Sequence, residues 1–333
     1  MYNIALFGAG RIGKIHAINI HQHNETLLYS IIDPYMEGAK ELAQLYNAKV
    51  QSTEEAMSDP NIHAIIIASA TDTHADLIEK AALAGKDIFC EKPIHLEMHR
   101  VIQCLDVLKA NNVALLIGFN RRHDLHFKVM RKELKEGKIG KPESILIISR
   151  DPEPPTAHYV KTSGSMFHDM TIHDFDMARY IMEEEPISIY AKGSNLINSE
   201  IELIGDIDTA FIVMKFPSGA IATISNSRRS GYGYDQRIEI HGEKGLLTTR
   251  NIKENSVEQW NENGCINAKA EPFFLQRYQT AYKAEWDHFV DVIAQRVPPI
   301  CSGHDAKQAL FLADNAMKSL LSGTEIKLDP HQP

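Results

Sequence analysis

Lys92, Asp169 and His173 are the residues of this chain whose types suit acid–base work on an alcohol. An imidazole titrates near neutral pH, as the acceptor of a hydroxyl proton must. Asp169 and His173 lie four apart in Phe167-His168-Asp169-Met170-Thr171-Ile172-His173-Asp174-Phe175-Asp176, with Asp176 three residues further along. On a helix that spacing puts both on one face, where they can act together or serve as an ordinary helix-stabilising pair. Lys92 stands in Glu91-Lys92-Pro93. Its ammonium can hydrogen-bond a substrate hydroxyl and favour the developing alkoxide, or pair with Glu91 at a surface. His168 and His173 are five apart, more than a helical turn, so they do not read as a metal site and no metal is expected.

A second group of residues suits a dinucleotide. The apolar strand Ile4-Ala5-Leu6-Phe7 runs into Gly8-Ala9-Gly10-Arg11-Ile12-Gly13. Gly8 permits a tight turn, Gly10 lets a pyrophosphate approach the backbone, and Gly13 lets the next helix pack close, with the phosphates at its positive end. A second apolar stretch, 27–32, ends in Asp33. An acid about 20 residues past the last glycine is where a carboxylate accepts hydrogen bonds from the adenosine ribose. Such a carboxylate favours NAD and repels the extra phosphate of NADP, and Pro34-Tyr35-Met36 offers no Arg or Lys for it. The other use of Asp33 is to cap the following helix.

These side chains need elements to position them. Up to about residue 120, strands and helices alternate: helices over 11–23, 35–46, 54–57, 73–84 and 95–111, and strands over 27–32, around Val50, and over 62–69, 87–90 and 113–119. That alternation predicts a doubly wound parallel sheet, a Rossmann domain, spanning 1–120. Ligands in such sheets lie beyond the carboxyl ends of the strands. The residues there include Ser69, Thr71 and His74, then Glu91 and Lys92, then Arg122. With Gly8, Gly10, Arg11, Ile12 and Asp33 they make the expected cofactor site, and His16 is expected near the phosphates.

From 121 to 333 the pattern changes. Stretches 144–149, 187–192, 209–216, 220–225, 236–241, 245–249 and 256–260 read as strands, with turns at Pro217-Ser218-Gly219 and around Gly242. They predict an α+β domain on a large, open, mostly antiparallel sheet that binds substrate. The strands alternate apolar and polar residues, as at Phe211 and Val213 or Ile221 and Thr223; helices can cover one face of such a sheet and a second subunit the other. The tail, 276–294 and 304–321, is helical by periodicity, and Pro152, Pro154 and Pro155 mark an irregular loop.

Composition bounds the rest. A 333-residue chain is long for one core, which predicts two domains. A net charge of −9 argues against nucleic acid as a partner. No apolar run approaches the roughly 20 residues that span a bilayer, so no membrane partner is expected. Four scattered cysteines, Cys90, Cys104, Cys265 and Cys301, suggest neither disulfides nor zinc. With a core strand at the N-terminus in place of a signal peptide, a cytoplasmic setting is expected.

Taken together and in this order, the glycine loop, Glu91-Lys92-Pro93 and Asp169-x3-His173 resemble the Gfo/Idh/MocA oxidoreductase family over essentially the whole chain. The resemblance implies a Rossmann domain followed by an open α/β sheet commonly used for tetramer assembly, and a catalytic trio falling on Lys92, Asp169 and His173. Within the family it points to oxidation of a ring hydroxyl of a cyclic polyol with NAD, myo-inositol to 2-keto-myo-inositol (scyllo-inosose). Arg122 and Asp176 then match positions near the polyol, and His158, Tyr159, Tyr232 or Tyr234 are further candidates to hold its hydroxyls. The substrate is expected between the two halves. Many relatives carry two or three glycines before the catalytic helix, whereas this chain has Ser163-Gly164-Ser165, which bears on substrate fit. The competing readings are a dehydrogenase of another inositol isomer or an aldopyranose, a non-catalytic NAD-binding sensor, and a glucose–fructose type oxidoreductase with bound NADP. Asp33 argues against the last, and the trio argues against the sensor.

Overall fold

The computed structural model describes residues 1–329. Its first compact unit is built on β1 (Tyr2–Phe7), α1 (Arg11–Gln22), β2 (Thr26–Ile32), α2 (Met36–Tyr46), β3 (Lys49–Val50), α3 (Thr53–Ser58), β4 (Ala64–Ile67), α4 (Thr71–Leu83), β5 (Asp87–Glu91), α5 (Met98–Asn111) and β6 (Leu115–Gly118). The strands form one sheet in the order β3-β2-β1-β4-β5-β6, with every pairing parallel. A sheet covered on both faces requires strands apolar on both faces. Accordingly Ile4, Ala5 and Leu6 of β1 and all four residues of β4 are fully buried. The order reverses between β1 and β4, which opens a ligand crevice beyond their carboxyl ends.

The second unit holds α6 (Leu125–Lys135), β7 (Pro142–Arg150), α7 (Ala157–Ser163), a π-helical turn over Phe167–Thr171, α8 (Ile172–Met182), β8 (Ser188–Ser194), α9 (Ser199–Leu203), β9 (Thr209–Lys215), β10 (Ile221–Ser227), β11 (Asp235–Gly242), β12 (Gly245–Thr248), β13 (Glu258–Asn261), β14 (Gly264–Asn267) and α10 (Phe274–Arg277). The chain continues through α11 (Gln279–Ile293) and α12 (Gly303–Ser322) to β15 (Ile326–Lys327). Seven strands make the large sheet, in the order β12-β11-β7-β10-β9-β8-β15. Only the β10–β7 pairing is parallel; the rest are antiparallel. The stretch expected as a further strand of this sheet, 256–260, instead pairs with β14 as a separate hairpin. More helix is interleaved with these strands than the residue pattern predicts.

The sheet has two unlike faces. Ile212 and Met214 of β9, Ala222 and Ile224 of β10, Ile145 and Ile147 of β7 and Ile238 and Ile240 of β11 are buried, and α8 packs against β7. On the opposite face the strand register lines up Phe211 and Val213 of β9, Ile221 of β10, Leu146 of β7 and Leu246 of β12, all exposed. Grouping by contacts returns residues 281–310 to the first unit and leaves 124–280 and 311 onward in the second. A single cut at 120, as expected from the sequence, does not describe that return of the chain. Residues 330–333 of the expected second domain lie outside the described residues.

The glycine turn is the tightest backbone feature of the first unit. Gly8 adopts a φ of +105°, and a Cβ there would meet the carbonyl oxygen of Ala68 at 2.4 Å. A Cβ on Gly13 would lie 1.9 Å from the carbonyl oxygen of Gly8. Gly13→Ala is therefore expected to force α1 away from the turn and lower stability by about 1–3 kcal/mol. Denaturant unfolding monitored by circular dichroism checks this, and an unchanged midpoint would refute it.

Candidate active site

At the carboxyl end of β1 the glycine turn offers what a dinucleotide needs. A Cβ on Gly10 would meet nothing within 4 Å, so the backbone there is open to an approaching group. Gly10 is also the N-cap of α1, whose first N–H groups, including those of Arg11 and Ile12, lie at the positive end of the helix. Asp33, at the end of β2, accepts from Ala9 N and from Tyr35 N, both at 2.7 Å. It thus ties the glycine loop to the start of α2, and each oxygen keeps a lone pair for another donor. These residues fit NAD.

The strand ends beside the turn are tied together by two buried histidines. His74 on α4 places Nδ1 2.8 Å from Pro93 O and Nε2 3.1 Å from Ser69 O, and in the neutral ring one of the two nitrogens donates, the shorter contact being to Pro93. It braces the peptide next to Lys92, and burial outweighs the pull of both carbonyls and lowers its pKa. Thr71 opens α4, and Ser69 Oγ shares a hydrogen bond with Thr73 Oγ1 at 2.6 Å. His16, expected near the phosphates, is instead buried with its Nε2 2.7 Å from Glu91 Oε1. Lys92 itself is half-buried. Arg122, expected near the polyol, is buried and donates to Ile300 O at 2.7 Å and Asp305 Oδ1 at 2.9 Å.

In the second unit the expected regular helix under Asp169 and His173 is a π-helical turn over Phe167–Thr171 followed by α8 from Ile172. The wider turn departs from the i,i+4 alignment of a regular helix, a departure frequent at functional sites. Asp169, 9 % exposed, accepts from Tyr159 Oη at 3.0 Å on one oxygen and from Arg228 at 2.9 Å on the other. Arg228 is buried and also donates to Asp151 at 2.9 Å. A guanidinium shared by two carboxylates offsets part of the cost of burying these charges. Burial, then the neighbouring Asp169, push the Tyr159 hydroxyl up, so it stays a hydrogen-bond donor.

The surroundings of α8 are equally filled. Ser165 Oγ bonds His168 Nδ1 at 2.8 Å, and His168 Nε2 bonds Asp314 Oδ1 at 2.9 Å. The Ser165 side chain is thus engaged with His168. Asp174 accepts from Ser149 and Asn226, and Asp176, fully buried, lies 3.8 Å from Arg179. His173 is half-buried. Tyr232 donates to Asp235 at 2.6 Å, Tyr234 packs edge to face against Phe273 and Tyr278, and His158 is exposed.

Two family models match this chain: an oxidoreductase family with an NAD-binding Rossmann fold over residues 2–119, and a GFO/IDH/MocA C-terminal domain over residues 127–248. The chain belongs to the Gfo/Idh/MocA oxidoreductases. Among curated proteins, this oxidoreductase is 42 % identical over 98 % of its length, and 98 % of the other's, to a myo-inositol 2-dehydrogenase of Thermotoga maritima. It is 43 % identical over 97 % of its length, and 98 % of the other's, to an inositol 2-dehydrogenase of Rhizobium meliloti. A solved structure of scyllo-inositol dehydrogenase from Lactobacillus casei, with bound NAD(H) and scyllo-inositol, superposes with a TM-score of 0.92 at 27 % identity, covering 98 % of this chain and 99 % of that one.

Arg228, Asp151 and Asp314 have no motif of their own in the sequence, and only the fold brings them to Asp169 and His168. The available signal was positional: Arg228 follows directly on a strand that the alternation of residues does predict. Among the described residues, no group of three or more His, Cys, Asp or Glu side chains is arranged to hold a metal ion, and no helix is long and apolar enough to cross a membrane.

His74 supplies a pH test of the oxidoreductase's strand-end brace. Its folded pKa lies below the ordinary value of 6.5, so the unfolded chain takes up that proton first. The stability it contributes is complete above about pH 6.5 and is lost as pH falls through the lowered folded value. The wild-type chain should therefore lose more stability between pH 7.5 and 5.5 than His74→Gln does. Urea titrations at the two pH values measure the difference; equal losses would contradict it.

Proposed function

We propose that this oxidoreductase oxidises the 2-hydroxyl of myo-inositol with NAD, giving 2-keto-myo-inositol. What carries the reading is the near full-length likeness to the inositol 2-dehydrogenases of Thermotoga maritima and Rhizobium meliloti. The fixed partners of Asp169, Tyr159 and Arg228, support it, since a polyol requires preorganised hydrogen-bond groups. NAD, held by Gly8, Gly10, Arg11, Ile12 and Asp33, supplies the acceptor for the hydride. His173 takes the hydroxyl proton. Lys92 orients that oxygen and stabilises its developing negative charge. Asp169, fixed by Arg228 and Tyr159, accepts from a neighbouring hydroxyl. Asp176, expected at the polyol, is fully buried and lies beside Arg179, so it acts on the site from beneath, through α8, rather than by direct contact. Arg122, bonded to Ile300 and Asp305, acts on the site by holding the end of β6 in place.

The buried thiols of Cys90, Cys104 and Cys301 support a reducing, cytoplasmic setting. The exposed apolar sheet face supports a homo-oligomer, a tetramer in full assembly. Phe211→Glu should then lower the mass read by sedimentation while leaving the circular dichroism spectrum unchanged, and an unaltered mass would speak against that face.

The catalytic assignment is tested by Lys92→Ala and His173→Ala with myo-inositol and NAD. Each should lower kcat at least ~100-fold while NAD binding, read by calorimetry for His173→Ala, stays intact. Near-normal turnover in either folded variant would overturn these two roles.

A further inference from the structure

The first compact unit holds a cluster of buried polar atoms that the proposed oxidation does not use. His16 and Asn19 lie on α1, and Tyr282, Glu285 and Trp286 on α11. The two helices meet there: the His16 and Tyr282 rings pack edge to face with centroids 6.2 Å apart, and His23 lies 3.8 Å from Asp287. One turn past Glu285, Phe289 packs on Phe89 at 5.7 Å, which sets this side of α11 over β5, the strand ending in Glu91. Glu285 is fully buried, and His16, Asn19 and Trp286 are nearly so. Both Glu285 carboxyl oxygens, His16 Nδ1, Asn19 Nδ2 and Trp286 Nε1 have no hydrogen-bond partner within the chain. Orphaned buried polar atoms are rare, and here they come from facing elements in complementary kinds.

Burial, then repulsion from Glu91, push the Glu285 carboxyl well above the usual carboxylate range, so the site favours the neutral acid. A neutral acid has a hydrogen to donate. His16 Nε2, 2.7 Å from the Glu91 carboxylate, must carry a hydrogen to bond it, which leaves Nδ1 as an acceptor in the neutral ring.

We propose that Glu285 is a positioning residue that supplies a hydrogen to His16 Nδ1 and so fixes the His16 tautomer that donates to Glu91 beside Lys92. Asn19 and Trp286 complete the set as donors to the remaining Glu285 oxygen, with an internal water spanning the gaps between the side chains. The other charged or titratable groups on the elements packed here are Tyr282 on α11, whose ring packs on His16, Cys90 and Lys92 on either side of Glu91, His74 on α4, and His288 on α11, which faces His123 at a ring distance of 5.2 Å. The inference rests on the reading of Lys92 as the residue that orients the reacting hydroxyl.

Glu285→Gln keeps an N–H donor, and Glu285→Leu keeps volume but donates nothing. The Gln variant should stay within about two-fold of wild-type kcat, and the Leu variant should lose about ten-fold with KM for NAD unchanged, the scale of one charge-assisted hydrogen bond. In the Leu variant alone, the acid limb of the kcat–pH profile should move to higher pH, because a carboxylate that has lost a donor takes up its own proton sooner on acidification. Infrared difference spectroscopy of the substrate-free chain should show a protonated-carboxyl stretch that Glu285→Gln removes. That reading needs no turnover, so it survives a failure of the proposed reaction and a Leu variant that does not fold. Absence of the stretch, or an acid limb that moves equally in both variants, would overturn the proposal.

Discussion

The close contact between Gly8, Gly13 and Ala68 is the constraint from which the first unit's chemistry follows. Side chains at the two glycines would collide with backbone, so the turn exists only as glycine. Because α1 can then start flush against the sheet, its N-terminal N–H groups point at the crevice where the strand order reverses. The same placement brings Ala9 N onto Asp33 and, a turn further along, His16 onto Glu91. One backbone approach thereby couples the carboxyl end of β1, the Asp33 carboxylate after β2 and the strand that leads into Lys92.

The second unit solves a different problem, that of keeping charges in a place with little water. Asp169, Asp174 and Asp176 lie within eight residues on the π-helical turn and α8, all buried. None is left alone: Arg228 and Tyr159 hold the first, Ser149 and Asn226 the second, and Arg179 lies beside the third. Preorganised partners of this kind fix where acceptors point before a substrate arrives, which is how such groups act in catalysis.

Much of this was legible in residue order. Glycines at 8, 10 and 13 followed by an acid at 33 state a physical requirement of a turn and a ribose, and the structure has the turn where they place it. The alternation in β9 and β10 was legible as well, but which set of side chains faces outward, Phe211 and Val213 or Ile212 and Met214, is settled only by the fold. What escaped depends on distant chain segments. A period of 3.6 residues is the only helix that spacing can express, so the π-helical turn at 167–171 read as regular helix. His16 looked like a residue near phosphates because its partner, Glu91, is 75 positions away. The return of 281–310 to the first unit, and with it the burial of Glu285, depends on packing that no local pattern records.

The central claim is that a ring carbon of the polyol gives its hydrogen to NAD. Incubation of the protein with NAD and myo-inositol deuterated at C2, followed by mass spectrometry of the reduced cofactor, tests it directly. Direct transfer predicts one deuterium in the NADH formed and a slowed turnover relative to unlabelled substrate. Reduced cofactor without deuterium, or none formed at all, would contradict it.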